Sequence, residues 1–285
     1  MTSIDPRPVS GKQQANPAAG ADELETLESV LASLAEPAPE HFTHDTLVAV
    51  GLADDYALIE SPIGPLRVAW NARGVSAVDG GRDDRSFEVA FHARTGRIAE
   101  RRPALPTRLA MAIDRRLAGE RRARIALDLR GASEFERAVW LKALEIPRGE
   151  VRPYGWVAAE IGRPRAVRAV GTALGHNPIP LIVPCHRVVR SDGMIGQYSL
   201  GGPGNKRTIL HAEGLDPDAL EGLARAGIRF IGSDTTRIYC LPTCHNAKRI
   251  TPAHRVPFRS TAASESAGFR ACRECRPGAA GHVAA

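Results

Sequence analysis

The sequence predicts an α/β protein in three parts. These are a small strand-rich α/β domain over residues 41–131, a helical domain over 132–215 with helix-turn-helix spacing, and a cysteine-rich module over 224–278. Three observations carry the prediction. Short apolar runs alternate with turn residues between positions 56 and 78, apolar positions at helical spacing dominate from Ser133, and four of the five cysteines fall in two close pairs near the end. With 285 residues, 43% apolar and 25% charged, the chain is long enough to bury a real core. No stretch approaches the run of about 18 apolar residues that spans a bilayer. The first forty residues hold no apolar run of signal-peptide type. The expectation is therefore a cytoplasmic protein that does not engage a membrane, with thiols kept reduced.

The elements follow in order. Residues 1–40 are rich in Pro, Ala, Gln and Gly, with Leu24, Leu27, Leu31 and Leu34 at helical spacing, which reads as a disordered tail carrying a transient helix. Strands are expected at 56–60, 66–70 and 75–78, separated by Ser61-Pro62-Ile63-Gly64 and Asn71-Ala72-Arg73-Gly74 turns. A helix over 105–117 closes at Gly119, and a strand is expected at 125–129. Ser133 with Glu136 forms a capping box, and Phe135, Val139, Leu141 and Leu144 supply apolar positions behind it. Ile146-Pro147-Arg148-Gly149 ends that helix. Two short helices, 154–161 and 165–174, meet at Gly162-Arg163-Pro164, and the second is expected to carry Arg165 and Arg168.

Charge is distributed unevenly. Residues 1–132 carry a net −2, residues 133–213 a net +4 and residues 225–277 a net +7, so the positive excess lies where all five cysteines lie. The basic residues are almost all arginine, whose planar fork suits phosphates and base edges. Cysteine chemistry on a polyanion is the class this points to.

Cys185 follows the apolar run Ile182-Val183 and a fixing proline, with His186 and Arg187 after it. Thiolate is the reactive form of cysteine, and a nearby imidazole or guanidinium favours it. The bland alternative is an inert buried thiol. Neighbouring side chains in an extended segment point apart, so His186 would reach Cys185 through a water.

The stretch from Ser133 to Gly214 resembles the O6-alkylguanine-DNA alkyltransferases. The shared residues, in order, are Phe135 with Val139-Trp140, Ile146-Pro147-x-Gly149, Tyr154, Arg168-Ala169-Val170, Asn177-Pro178, Pro184-Cys185-His186-Arg187-Val188, Gly193-x-x-Gly196-x-Tyr198, Lys206 and Glu213-Gly214. The upstream strands resemble that family's N-terminal α/β domain. The resemblance implies that Cys185 attacks the O6-alkyl carbon of guanine, that His186, held by Glu213, takes the thiol proton through a water, and that Asn177 fixes the active-site turn. It further implies that Tyr154 and Ser199 donate toward the departing base, and that Arg168 fills the space a flipped nucleotide leaves. Two departures stand out: Glu136 where the family usually has Gln, and one extra residue between Tyr198 and Lys206.

Cys240-x3-Cys244 and Cys272-x2-Cys275 have the spacing of a tetrahedral four-thiolate zinc site, with redox or disulfide pairing as the alternative. The surrounding segment is short and poor in apolar residues, so one Zn2+ would supply folding energy it otherwise lacks. The runs 234–244 and 267–277 resemble the metal-binding domain of Ada. That resemblance implies a second methyl acceptor at Cys240 for methyl phosphotriesters. The module stands after, not before, the alkyltransferase part, with only 26 residues between Glu213 and Cys240. Only eight residues follow Pro277, so transcription activation by this chain alone is not expected.

The combined expectation is direct-reversal repair of O6-alkylguanine in double-stranded DNA by a monomer that reacts once. The competing reading is an alkylated-DNA binding or sensor protein whose zinc module is purely structural.

Overall fold

The alternation of apolar and turn residues produces a sheet. After α1 (Phe42–Ala49), strands β1 (Ala53–Ile59), β2 (Leu66–Asn71) and β3 (Gly74–Asp79) form an antiparallel meander. A helix, α2 (Asp84–Thr95), then returns the chain so that β4 (Ile98–Arg101) adds parallel to β1, giving the order β3-β2-β1-β4. Gly74 must be glycine: its φ is +131°, and a Cβ there would stand 2.2 Å from the carbonyl oxygen of Ala126. The computed structural model describes residues 26, 29, 30, 32, 33, 42–120 and 122–278, and the chain from His44 onward forms one compact unit. Residues 26, 29, 30, 32 and 33 are helical, while Leu24, Leu27, Leu31 and Leu34 lie outside the described residues.

Two elements in this part were not read from the sequence, and one expectation is corrected. Helix α2 and strand β4 were missed because Phe87 and Phe91, the buried residues of α2, stand among charged residues and an exposed Val89 that blur the apolar face. Its ends were nonetheless marked: the Asp83 side chain caps Ser86 N, and Gly96 closes the helix in the left-handed region at φ 69°. The expected strand at 125–129 shrinks to one parallel bridge, Val75 with Leu127, in which Val75 N donates to the Ala126 carbonyl at 2.9 Å and Asp128 N to the Val75 carbonyl at 2.7 Å along the edge of β3. Helix α3 (Thr107–Leu117) forms as expected.

The helical part begins at α4 (Glu134–Ala143), with both hydrogen bonds of the Ser133–Glu136 capping box present. It buries Val139, Trp140 and Ala143; Leu141, expected on the apolar face, is turned outward and is 48% exposed. A two-residue strand, β5 (Arg152–Pro153), pairs parallel with β6 (Val188–Val189). Between them come α5 (Tyr154–Glu160) and α6 (Val167–Gly175), joined through Gly162 at φ 72°. Arg168 stands on α6, but Arg165 lies in the turn before it, not on the helix. A 3-10 turn, Cys185–Arg187, leads into β6, and α7 (Gly202–Ala212) ends at Glu213.

Helix α8 (Pro217–Arg225) leads into a second sheet of β7 (Phe230–Ser233), β8 (Ile238–Cys240), β9 (Arg255–Phe258) and β10 (Arg270–Ala271), ordered β10-β8-β7-β9. Two short helices, α9 (His245–Lys248) and α10 (Thr261–Ser266), flank it. One apolar core runs through all three parts, from Leu66 and Val68 through Trp140, Trp156 and Val183 to Tyr239 and Phe269. No described helix is long and apolar enough to cross a membrane.

Candidate active site and metal centre

Proline fixes the backbone ahead of Cys185, and the 3-10 turn presents the thiol inside the protein at 5% exposure. Asn177, two residues past the end of α6, organises this turn. Its amide donates to the Val183 carbonyl at 3.1 Å and to Cys185 Sγ at 3.2 Å, while its Oδ1 accepts from Ile179 N at 3.0 Å. Burial pushes the Cys185 thiol up, opposed by the Asn177 hydrogen bond, the Lys206 charge and a Ser199 hydrogen bond. The resting sulfur is therefore a protonated thiol that needs a base.

His186 lies fully buried next to it. Burial pushes the imidazole down, so it rests neutral and able to accept a proton. Its Nε2 is 3.0 Å from Glu213 Oε1. Its Nδ1 is buried with no hydrogen-bond partner among the described residues. Glu213 is held hard: Arg187 donates from Nε at 3.0 and 3.1 Å and from Nη2 at 2.6 Å, and the Gly149 amide donates at 3.2 Å. Burial alone would raise this carboxyl, but hydrogen bonds from His186 and Arg187, with the Arg187 charge, bring it down to about 2. Lys206 is fully buried, donating to the carbonyls of Val188 at 2.6 Å and Gln197 at 3.2 Å. Burial lowers it to about 8, and the Cys185 charge acts against that.

The fold thus brings together Cys185, His186, Asn177, Glu213 and Ser199. Tyr154, the first residue of α5, is raised by burial and by the charge of Cys185, which places it in the same electrostatic neighbourhood. Arg165 and Arg168 do not join this cluster. With Arg163 they are exposed on the helix-turn-helix, and none of the three forms an ion pair among the described residues. The roles of Arg187 and Lys206 were not read from the sequence, although both were recognised as shared motif residues. A charged residue in an apolar context was the available signal.

The metal centre lies across the shared core. Sγ atoms of Cys240, Cys244, Cys272 and Cys275 all lie within 4.8 Å of one another, and all four residues are buried. Zinc–sulfur bonds of about 2.3 Å in a tetrahedron put sulfurs about 3.8 Å apart, so the cluster fits one zinc ion. Leu241 N donates to Cys275 Sγ at 3.4 Å and Asn246 Nδ2 to Cys272 Sγ at 3.6 Å, contacts suited to anionic sulfur. A cleft of about 500 Å³ opens beside Cys240 and Cys272, lined by Arg249, Arg270 and Arg273 with Thr235, Thr236 and one acidic residue, Glu274.

A thiol held by an asparagine, with a buried His–Glu pair behind it and exposed arginines on a helix-turn-helix, defines a cysteine-dependent transferase of nucleic-acid type. Residues 134–215 match the family described as 6-O-methylguanine DNA methyltransferase, DNA binding domain, and residues 224–278 match the metal binding domain of Ada. The methylated-DNA–protein-cysteine methyltransferase of Mycobacterium tuberculosis is 40% identical over 163 residues, covering 55% of this chain and 91% of that protein. Its counterpart in Methanosarcina barkeri is 37% identical over 154 residues, covering 51% and 89%. Among solved structures, an M. tuberculosis OGT crystallised in complex with DNA is 36% identical over 56% of this chain and 92% of that one, with a TM-score of 0.45. The chain belongs to the methylated-DNA–protein-cysteine methyltransferase family.

Proposed function

We propose that the chain binds alkylated double-stranded DNA as a cytoplasmic monomer and moves the alkyl group from guanine O6 onto Cys185, once per molecule. The observation that carries this reading is the Asn177–Cys185 and His186–Glu213 hydrogen-bond arrangement, which supplies a poised thiol, a neutral base and a carboxylate that stabilises the base once charged. The thiol proton leaves to His186 through a water at Nδ1. Sulfur attacks the alkyl carbon in line, the S–C bond forms as the C–O6 bond breaks, and the electron pair goes to the guanine oxygen. Tyr154 and Ser199 donate toward the departing base, and the proton that His186 took from the thiol is returned through these donors and water to restore neutral guanine. The thioether does not hydrolyse, so the protein is consumed.

Guanine O6 is out of reach inside a duplex, so the nucleotide must leave the stack at a cost of a few kcal/mol. Arg168 fills the gap it leaves and Arg165 meets a backbone phosphate; the exposure of both, Arg168 on α6 and Arg165 in the turn before it, supports this reading. The test is single-turnover repair of an O6-methylguanine duplex, with mapping of the modified cysteine. The expected result is one methyl on Cys185 and complete loss in a folded Cys185→Ser variant. Clearance by that variant at the wild-type rate refutes the assignment.

Cys240 is read as a second acceptor, for methyl phosphotriesters. Coordination in a four-thiolate zinc site keeps its sulfur anionic at neutral pH. The arginine-lined cleft beside Cys240 suits a DNA backbone, and a methylated phosphate, being neutral, escapes the repulsion an ordinary diester meets at an anionic site.

A further inference from the structure

The turn that ends α4 is held from two sides. On its inner side the Gly149 amide donates to Glu213 Oε2 at 3.2 Å, so this turn helps hold the carboxylate that holds His186. On its outer side the metal-binding module grips three consecutive residues, Gly149, Glu150 and Val151. Lys248 Nζ donates to the Gly149 carbonyl at 2.9 Å, His245 N donates to Glu150 Oε1 at 3.1 Å, and Thr243 Oγ1 both accepts from Val151 N at 2.9 Å and donates to the Val151 carbonyl at 3.3 Å. These gripping residues bracket ligand Cys244, so metal coordination that orders Cys244 orders the grip as well. The contact has no slack: Gly149 sits at φ +72°, and a Cβ there would meet the Glu213 carbonyl oxygen at 2.9 Å. Trp156 Nε1 donating to the Cys275 carbonyl at 2.9 Å, and Arg276 paired with Glu160 at 2.8 Å, dock the far end of the module onto α5.

We propose that the metal-binding module is a positioning element of the O6 site, and that Lys248 is the positioning residue, acting through Gly149 and Glu213 to keep His186 aligned for the Cys185 proton. The proposal rests on the reading of Cys185 and His186 given above. It makes the two halves of the molecule interdependent. Lys248 is exposed and touches none of the reacting atoms. Its effect must therefore pass through the base. The charged and titratable groups facing that base and its thiol are Glu213, Arg187, Lys206, Tyr154 and Tyr198, and none of them belongs to the metal-binding module.

The test uses the full-length, zinc-loaded protein with Lys248→Met and Lys248→Arg. Single-turnover methyl transfer from an O6-methylguanine duplex is followed across pH, together with zinc content and affinity for undamaged DNA. Loss of one hydrogen bond in the chain should slow transfer by Lys248→Met roughly three- to tenfold near neutral pH. The deficit should close as pH rises past the thiol's own ionisation, because a thiol that ionises directly no longer needs His186. Lys248→Arg keeps a donor and should recover most of the rate. Iodoacetamide labelling of Cys185 without DNA should show the same pH-dependent deficit. Wild-type rates for Lys248→Met at every pH overturn the proposal. A deficit equal at all pH values also overturns it, since lost folding or lost phosphate contact would give that. Absence of methyl transfer to Cys185 in the wild type would instead sink the reading on which the proposal rests.

Discussion

Replacing Glu213 with Gln removes one charge from the point where α7, the Cys185 turn and the turn after α4 meet. The carboxyl is only 8% exposed and is held at about 2 against an ordinary 4.5. Each pH unit of displacement corresponds to about 1.4 kcal/mol, so the native environment of the carboxylate contributes on the order of 3 kcal/mol to folding at neutral pH. The variant also leaves the buried Arg187 guanidinium without its counter-charge, and breaking a buried pair costs about 3–5 kcal/mol. A depressed carboxyl stabilises above its unfolded value, and that stability is lost as pH falls from about 5 toward 2. Urea denaturation of wild type and Glu213→Gln should therefore show a gap of about 3 kcal/mol at neutral pH, narrowing to about 1.5 kcal/mol near pH 3. Acid-driven loss of zinc acts on both proteins, so zinc content is measured alongside stability at each pH. A gap below about 1 kcal/mol at neutral pH, or one that stays constant with acidification, refutes the account of how Glu213 is held.

Arg168→Ala should slow repair of duplex DNA about tenfold while barely changing transfer from free O6-methylguanine base, because only the duplex must be opened; equal losses on both substrates would show Arg168 doing something other than extrusion. Asn177→Ala frees the Val183 carbonyl, the Ile179 amide and Cys185 Sγ at once, so it should cost about 1–3 kcal/mol of stability and lower the transfer rate, read by thermal melting and single-turnover kinetics. Metal analysis should find one zinc per chain, falling when Cys275 is replaced. In a Cys185→Ser background, DNA bearing methyl phosphotriesters should methylate a peptide containing Cys240 and raise DNA affinity, with the gain shrinking at high salt; zinc without that mass change would leave the module structural.

Much of the site was legible because its chemistry is written locally. The Pro184-Cys185-His186-Arg187 run, the Ser133–Glu136 capping box and the two cysteine pairs each act within a few residues, and each appears where its spacing put it. Errors arose where a neighbour far along the chain decided the outcome. Leu141 carries an apolar side chain at a plausible helical position but faces outward, because the core lies on the side of Val139, Trp140 and Ala143. Residues 125–129 have strand composition, yet they meet the edge of β3 only around Val75, where the backbones come close enough that Gly74 must be glycine. Arg165 falls outside α6 because the turn through Gly162 runs longer than the spacing suggested.

The sequence by itself determined the family, the nucleophile candidate and the four candidate metal ligands, since residue type and short spacing carry that information through backbone geometry and ligand chemistry. Tertiary structure alone decided that Glu213 is shared between His186 and Arg187, that Lys206 is buried, and that a residue of the metal-binding module reaches the turn holding Glu213. Lys248 and Gly149 are 99 residues apart, and nothing in the local pattern of either names the other. Their pairing comes from the apolar core that packs the two sheets and the helices between them into one body, which sets long-range distances that no local rule contains.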